Sequence, residues 1–185
     1  MKPAPKAITP VSSSFSLLSK NEREKFKVGA ITVSADKGTA EVAVNDYGQI
    51  YIKGGKNVSV TSDIINNQDS RITMEDSEIS SIYTGFGKDV IELHNCQFKE
   101  GWKGTKLGES SIRLRGSNNV LYVSGDLKGS VYAQQDQING KEKADKIFVN
   151  GTNYATIHVD KDDIVKIKNG NKGRIEHIVI MPIVY

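Results

Sequence analysis

The sequence predicts an all-β protein, and within that class a single right-handed parallel β-helix (β-solenoid) of about 18–20 residues per coil behind a flexible N-terminal tail. Apolar and polar residues alternate, as at Ile112 and Leu114, which is the period of a half-buried strand. The pattern also repeats at a fixed offset, because Val165 follows Ile147 at the same interval at which Ile167 follows Val149. Outside residues 17–28, no window carries a convincing helical stripe of apolar residues.

The predicted strands are short runs bounded by Gly, Asn, Asp or Ser, which are typical turn residues. In chain order they are 40–44, 49–53, 58–62, 71–75, 89–94, 111–115, 120–124, 146–150, 155–159, 164–168 and 174–180. Two strands and their turns fill one coil, which stacks on the coils at either side. An antiparallel sandwich or jelly roll is the alternative, since the Asn-Gly pairs at 139–140 and 169–170 are typical of hairpins.

Length and composition bound the class of protein. The 185 residues, 37% hydrophobic and 25% charged, fit one domain with its own core and exclude a collagen, a coiled coil or a disordered chain. The single cysteine, Cys96, excludes a disulfide framework and a multi-cysteine zinc site. No apolar run reaches the ~18 residues of a membrane helix, so we expect no membrane span. We divide the chain into a leader (1–28) and a solenoid domain (29–185).

The leader carries the basic excess of the chain, with six basic residues against two acidic ones. The remaining residues are close to neutral, which argues against a nucleic-acid partner, since such binding needs a basic footprint. Proline and serine dominate the leader, and its apolar run is too short for a conventional cleaved signal peptide. In composition it resembles the leaders of bacterial type III effectors. That resemblance implies a secreted or extracellular bacterial protein; a flexible tail or a cap on the solenoid are the other interpretations.

One stretch has a more specific pattern. Gly85, Gly87, Asp89 and Ile91 fall on the nonapeptide G-G-x-G-x-D-x-U-x, with Thr84 in place of its first glycine. The stretch is similar to the calcium-binding repeats of RTX proteins. In those repeats glycines allow a tight turn, the aspartate supplies a carboxylate, and the apolar residue anchors the next strand in the core.

The resemblance implies calcium ligands, and eroded copies of the repeat extend the set beyond Asp89. These further candidates are Asp145, Asp160, Asp162 and Asp163. Because RTX calcium sites lie between intact, acidic neighbouring turns, and this body is near neutral, we expect a protein that folds without a cofactor. Calcium binding at these positions is expected to be weak.

Candidate catalytic residues are few. Parallel β-helices include pectate and alginate lyases, and that resemblance implies a basic residue beside acidic ligands; Arg113, Arg115, Asp89 and Glu92 could supply them. An ordinary charged outer face explains the same residues. We expect Cys96 to be a buried structural cysteine, because adjacent strand residues face opposite sides.

The function best supported at this point is a non-catalytic secreted bacterial interaction protein, effector-like or surface-associated, that binds a host protein or a polysaccharide. Arg113, Arg115, Tyr122 and His158 are the candidate contact residues, and His158 is expected to point outward into solvent. A small polysaccharide lyase or glycoside hydrolase and a phage or surface structural module remain as alternatives.

Overall fold

The computed structural model describes residues 4–10, 22–63, 67–99, 111–133 and 144–177, and within these ranges the chain is all-β with no helix. The strands are β1 Lys6–Ala7, β2 Arg23–Val28, β3 Ile31–Asp36, β4 Glu41–Val44, β5 Ile50–Lys53, β6 Val58–Ser62, β7 Ser70–Glu75, β8 Glu78–Tyr83, β9 Asp89–His94, β10 Gln97–Phe98, β11 Ile112–Leu114, β12 Val120–Val123, β13 Ser130–Ala133, β14 Lys146–Val149, β15 Thr156–Val159, β16 Ile164–Ile167 and β17 Arg174–His177.

The strands form two sheets. Sheet A has the order β1-β4-β5-β7-β9-β12-β14-β16, and sheet B has the order β17-β15-β13-β11-β8-β6-β3-β2, with β10 beside β8. From β5 and β6 onward, successive strands alternate between the sheets, apart from the short strand β10, and each pairs in parallel with its counterpart in the next coil. This arrangement confirms the predicted β-solenoid and excludes the sandwich, because antiparallel pairs occur only at the N-terminal end of the described part.

The coil length varies along the stack. Ile72 pairs with Ile91 and Ile147 with Val165, and both offsets agree with the predicted coil length. Ile91 pairs with Leu121, however, and this offset is more than half as long again. The longer offsets fall where the sequence holds residues 100–110 and 134–143, which lie outside the described part. The repeat is therefore regular in space although it is irregular in sequence.

The core lies between the two sheets and is a stack of aliphatic side chains. In sheet A the inward column runs Ile72, Ile91, Leu121 and Ile147, and each is at most 1% exposed. Each inward residue is covered by the same position in the neighbouring coil, so the stack excludes water only where a coil has neighbours on both sides. At the last coil, Val165 is correspondingly only half-buried.

The N-terminal end differs from the predicted flexible leader. β2 lies within residues 1–28 and pairs antiparallel with β3, and Phe26 turns inward and is 3% exposed. The Arg23 guanidinium donates hydrogen bonds to the Ser34 hydroxyl and to the Asn57 carbonyl oxygen. Residues 23–28 are thus part of the solenoid and cover the edge of sheet B, whereas residues 1–3 and 11–21 lie outside the described part.

We expect Phe26→Ala to lower the free energy of unfolding by about 3 kcal/mol, because it removes a buried aromatic ring from the N-terminal cap. Lys27→Ala is the matched control, since Lys27 is exposed on the opposite face of the same strand, and it should change stability by no more than about 0.5 kcal/mol. Urea denaturation followed by circular dichroism measures both. A loss below about 1 kcal/mol for Phe26→Ala would favour a dispensable leader instead.

Candidate functional site

The outer face of sheet A carries a continuous row of side chains, one from each coil. Strand register places them as direct neighbours: Tyr51, Thr73, Glu92, Tyr122, Phe148 and Lys166. Adjacent strands in a sheet lie about 4.8 Å apart, so every coil contributes one group to a rigid, flat row. Such a row matches an extended ligand better than a compact one.

Apolar side chains widen this row toward the C-terminal half of the sheet. We use the name outer apolar patch for Val90, Val120, Tyr122, Phe148 and Ile164. All five are half-buried or exposed, and Ile164 retains 39% of its surface. Outer positions of a solenoid sheet are usually polar because they face water, so a group of apolar side chains there is typical of an interaction surface. Lys146 lies in register between Val120 and Ile164 in this group.

A basic group borders the outer apolar patch. Lys146, Lys166 and Lys168 are exposed, and in the part of the chain that the structure describes none of them forms an ion pair. A shallow depression of about 220 Å³ adjoins Lys166 and Lys168, with Tyr122 and Phe148 among its lining residues. We call this region the basic end of sheet A. It combines aromatic rings with positive charge in an open, water-accessible setting.

Tyr122 is the predicted contact residue that the structure places on this surface. Its ring lies 5.6 Å from the His94 imidazole, centroid to centroid, at an angle of 45°. Phe148 and the three lysines were not identified from the sequence. Phe148 is separated from Tyr122 in the sequence by a whole strand of sheet B and by residues 134–143, and only the strand register shows that the two are direct neighbours.

Arg113 and His158 lie on the outer face of sheet B, so they do not join Tyr122. The His158 ring stacks on Tyr132 with centroids 4.0 Å apart, and its Nδ1 lies 3.3 Å from the Glu176 carboxylate. His158 points outward as expected, since Ile157 and Val159 on either side of it are buried, but it is not freely solvated, because its side chain is only 16% exposed. Burial lowers the pKa of His158, against the opposing effect of Glu176, since desolvation disfavours the imidazolium.

The residues considered for a lyase do not converge. Glu92 is on the outer face of sheet A, where its carboxylate lies 3.3 Å from the Arg71 guanidinium. Asp89 is buried, Arg113 is on sheet B, and the Arg115 guanidinium carbon lies 6.0 Å from the centre of the Phe86 ring. Glu92 and Arg113 therefore face away from the solenoid on different sheets.

The buried acidic residues form a ladder along the inside of the turn before sheet A. Asp89 Oδ1 accepts a hydrogen bond from the backbone N–H of Ser70, and Asn119 Oδ1 accepts one from the backbone N–H of Asp89. In the same way, Asp145 Oδ1 accepts the N–H of Asn119, and Asp163 Oδ1 accepts the N–H of Asp145. The four bonds are 2.7–3.1 Å long. We call this the Asx ladder. Each side chain satisfies a backbone donor of the preceding coil and thereby joins successive coils.

The ladder keeps its carboxyl groups out of water. Burial raises the pKa of Asp89 to about 6 and that of Asp145 to about 7, and it also raises the pKa of Asp163. The Oδ2 atoms of Asp89 and Asp145 have no hydrogen-bond partner among the described residues. These environments shift the carboxyl groups toward the neutral form, whereas calcium ligands are ionised.

The remaining candidate calcium residues lie around the same turns. Gly85 and Gly87 are buried, Asp162 is exposed, and Asp163 Oδ2 accepts the backbone N–H of Asp160 at 2.8 Å. Within the described ranges, no three His, Cys, Asp or Glu side chains are grouped so that they could hold a metal ion.

Cys96 lies at a corner between the sheets, in the wall of a polar groove of about 800 Å³. Its thiol is half-buried and donates to the carbonyl oxygens of Met74 and His94, and burial raises its pKa. A thiol in this setting stays protonated and is a poor nucleophile, in keeping with a structural role.

The stacked parallel coils define the class of this protein, a two-sheet β-solenoid of about five turns with an antiparallel cap at its N-terminal end. Comparisons with protein-family models, with curated proteins and with solved structures find no match for the chain. None of the described residues forms a helix that could cross a membrane. The surfaces of the solenoid therefore carry the information about its function.

Proposed function

We propose that this protein is a non-catalytic interaction module, exported by a bacterium, that binds a polysaccharide along the outer face of sheet A. The outer apolar patch is the observation that carries the proposal. Tyr122 and Phe148 are direct neighbours on adjacent strands, and aromatic rings held in this way offer flat faces to the C–H faces of sugar rings. The row of outer residues continues along the sheet, which suits a polymer.

The placement of Glu92 and Arg113 on different sheets supports a binding role. A depression of about 220 Å³ is smaller than the ~300–1,000 Å³ of sites that enclose a small ligand. An open surface can hold part of a chain-like ligand, but it does not exclude water from a reacting bond. Export is supported by the proline- and serine-rich composition of the leader alone.

A host protein is the second candidate partner. Val90, Val120 and Ile164 are aliphatic and lie beside the two aromatic rings. Aliphatic surface of this kind is buried more often by a protein partner than by a hydrated glycan. The two candidate partners require different residues. Binding of a polysaccharide depends on the two aromatic rings, whereas a protein interface depends on the whole outer apolar patch.

We expect Phe148→Ala and Tyr122→Ala each to weaken polysaccharide binding at least tenfold, because each removes one ring of the aromatic pair. Affinity electrophoresis of the full chain through gels containing hydroxyethylcellulose, methyl-esterified pectin, polygalacturonate or alginate measures the retardation. Tyr47→Ala is the control: Tyr47 is 70% exposed, lies outside the patch, and should bind within twofold of the unchanged protein.

Retardation by at least one polymer, lost in the two patch variants and retained in Tyr47→Ala, is the expected result. No retardation by any of the polymers would reject polysaccharide binding. Equal losses in Tyr47→Ala and Phe148→Ala would reject the outer apolar patch as its site. Thermal unfolding of each variant, followed by circular dichroism, verifies that the fold is intact.

A further inference from the structure

Charge is distributed unevenly along the outer face of sheet A. Toward the N-terminal end, opposite charges are neighbours: Lys53 pairs in register with Glu75, and Arg71 lies 3.3 Å from the Glu92 carboxylate. At the basic end the lysines have no such partner among the described residues. Within the described ranges, positive charge is therefore paired with negative charge at one end of the face and not at the other.

The basic end has a regular geometry centred on Phe148. Lys146 precedes Phe148 by two positions on β14, so both side chains point to the same side of the sheet. Lys166 is the direct neighbour of Phe148 on β16, and Lys168 follows Lys166 by two positions. Residues two apart on a strand are about 7 Å apart, so three lysine side chains start from positions beside one aromatic side chain on a rigid surface.

We propose that the basic end binds the carboxylate groups of an acidic polysaccharide, a polymer of uronic acid type, whose sugar rings lie on Phe148 and Tyr122. This inference rests on the proposed polysaccharide-binding function and adds the charge of the ligand to it. Ammonium groups beside an aromatic floor complement a ring that carries one carboxylate, and the open surface lets neighbouring sugars extend along the sheet.

Two other anionic polymers fit this surface less well. A nucleic acid binds through many phosphate contacts, whereas the solenoid body is close to neutral and offers three uncompensated lysines at this place. An acidic peptide can satisfy the lysines, but its aspartate and glutamate residues carry no ring to cover the aromatic pair. Uronic acid polymers match both the charge and the shape.

Isothermal titration of the full chain with polygalacturonate tests the proposal, with methyl-esterified pectin as the ligand that keeps the sugar backbone and lacks the charge. The test variant is Lys166→Gln with Lys168→Gln. The control is Lys25→Gln with Lys27→Gln, an equally spaced exposed pair on β2 of sheet B that removes the same net charge. We expect at least a tenfold loss of affinity for polygalacturonate in the test variant and less than a twofold loss in the control.

Several outcomes would overturn the proposal. Equal affinities of the test and control variants would show that total charge, rather than the basic end, controls binding. The unchanged protein could bind the esterified and the charged polymer with equal affinity, and Phe148→Ala could lose affinity for both. This result would overturn the acidic ligand but leave polysaccharide binding in place. Polyglutamate or single-stranded DNA bound as tightly as polygalacturonate, with the same sensitivity to the test variant, would identify a general polyanion surface. A protein that binds none of these polymers would overturn this inference. The proposed function is then tested separately, by retardation in gels that contain the neutral polymer hydroxyethylcellulose.

Discussion

Asp145→Asn is expected to stabilise this protein at pH 8 by roughly 1–3 kcal/mol and to change its stability little at pH 4. Asp145 is fully buried in the Asx ladder, and burial raises the pKa of its carboxyl group from about 3.8 to about 7. An asparagine keeps the Oδ1 that accepts the Asn119 N–H and cannot ionise. The same ladder already holds an asparagine, Asn119, at the equivalent place one coil earlier.

The direction follows from proton binding. Between about pH 4 and pH 7 the folded protein holds the Asp145 proton while the unfolded chain has released it. The stabilising contribution of this proton is therefore fully present below pH 4 and is lost as the pH rises toward 7. The rise of the Asp145 pKa from 3.8 to about 7 corresponds to a free energy of about 4 kcal/mol at most. The increase in the stability of Asp145→Asn is smaller, because the amide hydrogens of the asparagine have no partner.

Asn119→Asp is the matched reverse variant. It introduces a carboxyl group into the same ladder and removes the hydrogen bond from Nδ2 to the Arg115 carbonyl oxygen. We expect it to destabilise the protein more at pH 8 than at pH 4, by about 1 kcal/mol or more. Urea unfolding at both pH values, followed by circular dichroism, gives the differences from the unchanged protein. If the stability of Asp145→Asn differs from that of the unchanged protein by the same amount at both pH values, this carboxyl group does not titrate with folding.

Gly87→Ala is expected to lower the free energy of unfolding by about 3 kcal/mol or more, or to prevent folding. A methyl group at this position would overlap the backbone carbonyl of Gln68 in the preceding coil. A backbone group cannot turn aside as a long side chain can, so the two coils would have to separate. Separation would also strain the hydrogen bond from the Lys88 N–H to the Asp69 carboxylate, which is 2.8 Å long.

Gly125→Ala is the control for this variant, because a methyl group there meets nothing within 4 Å. It should change stability by no more than about 1 kcal/mol. Thermal and urea unfolding measure both proteins. Similar stabilities of the two variants would show that the coils at Gly87 separate at little cost, and that the glycine is not required for their close approach.

The RTX-type pattern could be found in the sequence, but what its residues do could not. Gly87 lies where the backbones of two coils meet, and Asp89 accepts the N–H of Ser70 from inside the stack. A calcium-binding turn uses the same residue types at the same spacing. The difference lies in the neighbouring coil, where Asn119, distant in the sequence, fills the place next to Asp89 with an amide. Calcium binding at these turns remains a prediction.

The class of fold and most of the strands can be predicted from the sequence. Alternation with period two marks the inward residues, and the predicted runs 58–62 and 89–94 coincide with β6 and β9. The turns could also be predicted from the sequence, because the corners use residue types that tolerate a left-handed backbone. Asp76 and Asn95, for example, both have a φ of 50°. The alternation and the turn residues can be recognised in the sequence, because both depend on residues that are close together along the chain.

The cap and the candidate surface become visible only in the folded chain. The charges of residues 23–28 conceal a strand whose inward residue, Phe26, is fixed by pairing with β3. Tyr122, Phe148 and Lys166 lie far apart in the sequence and become neighbours only when the coils stack in register. A solenoid needs its inward residues to repeat for burial, whereas nothing in folding requires its outer residues to repeat. The outer face is consequently free to vary from coil to coil, and its arrangement appears only once the coils are stacked.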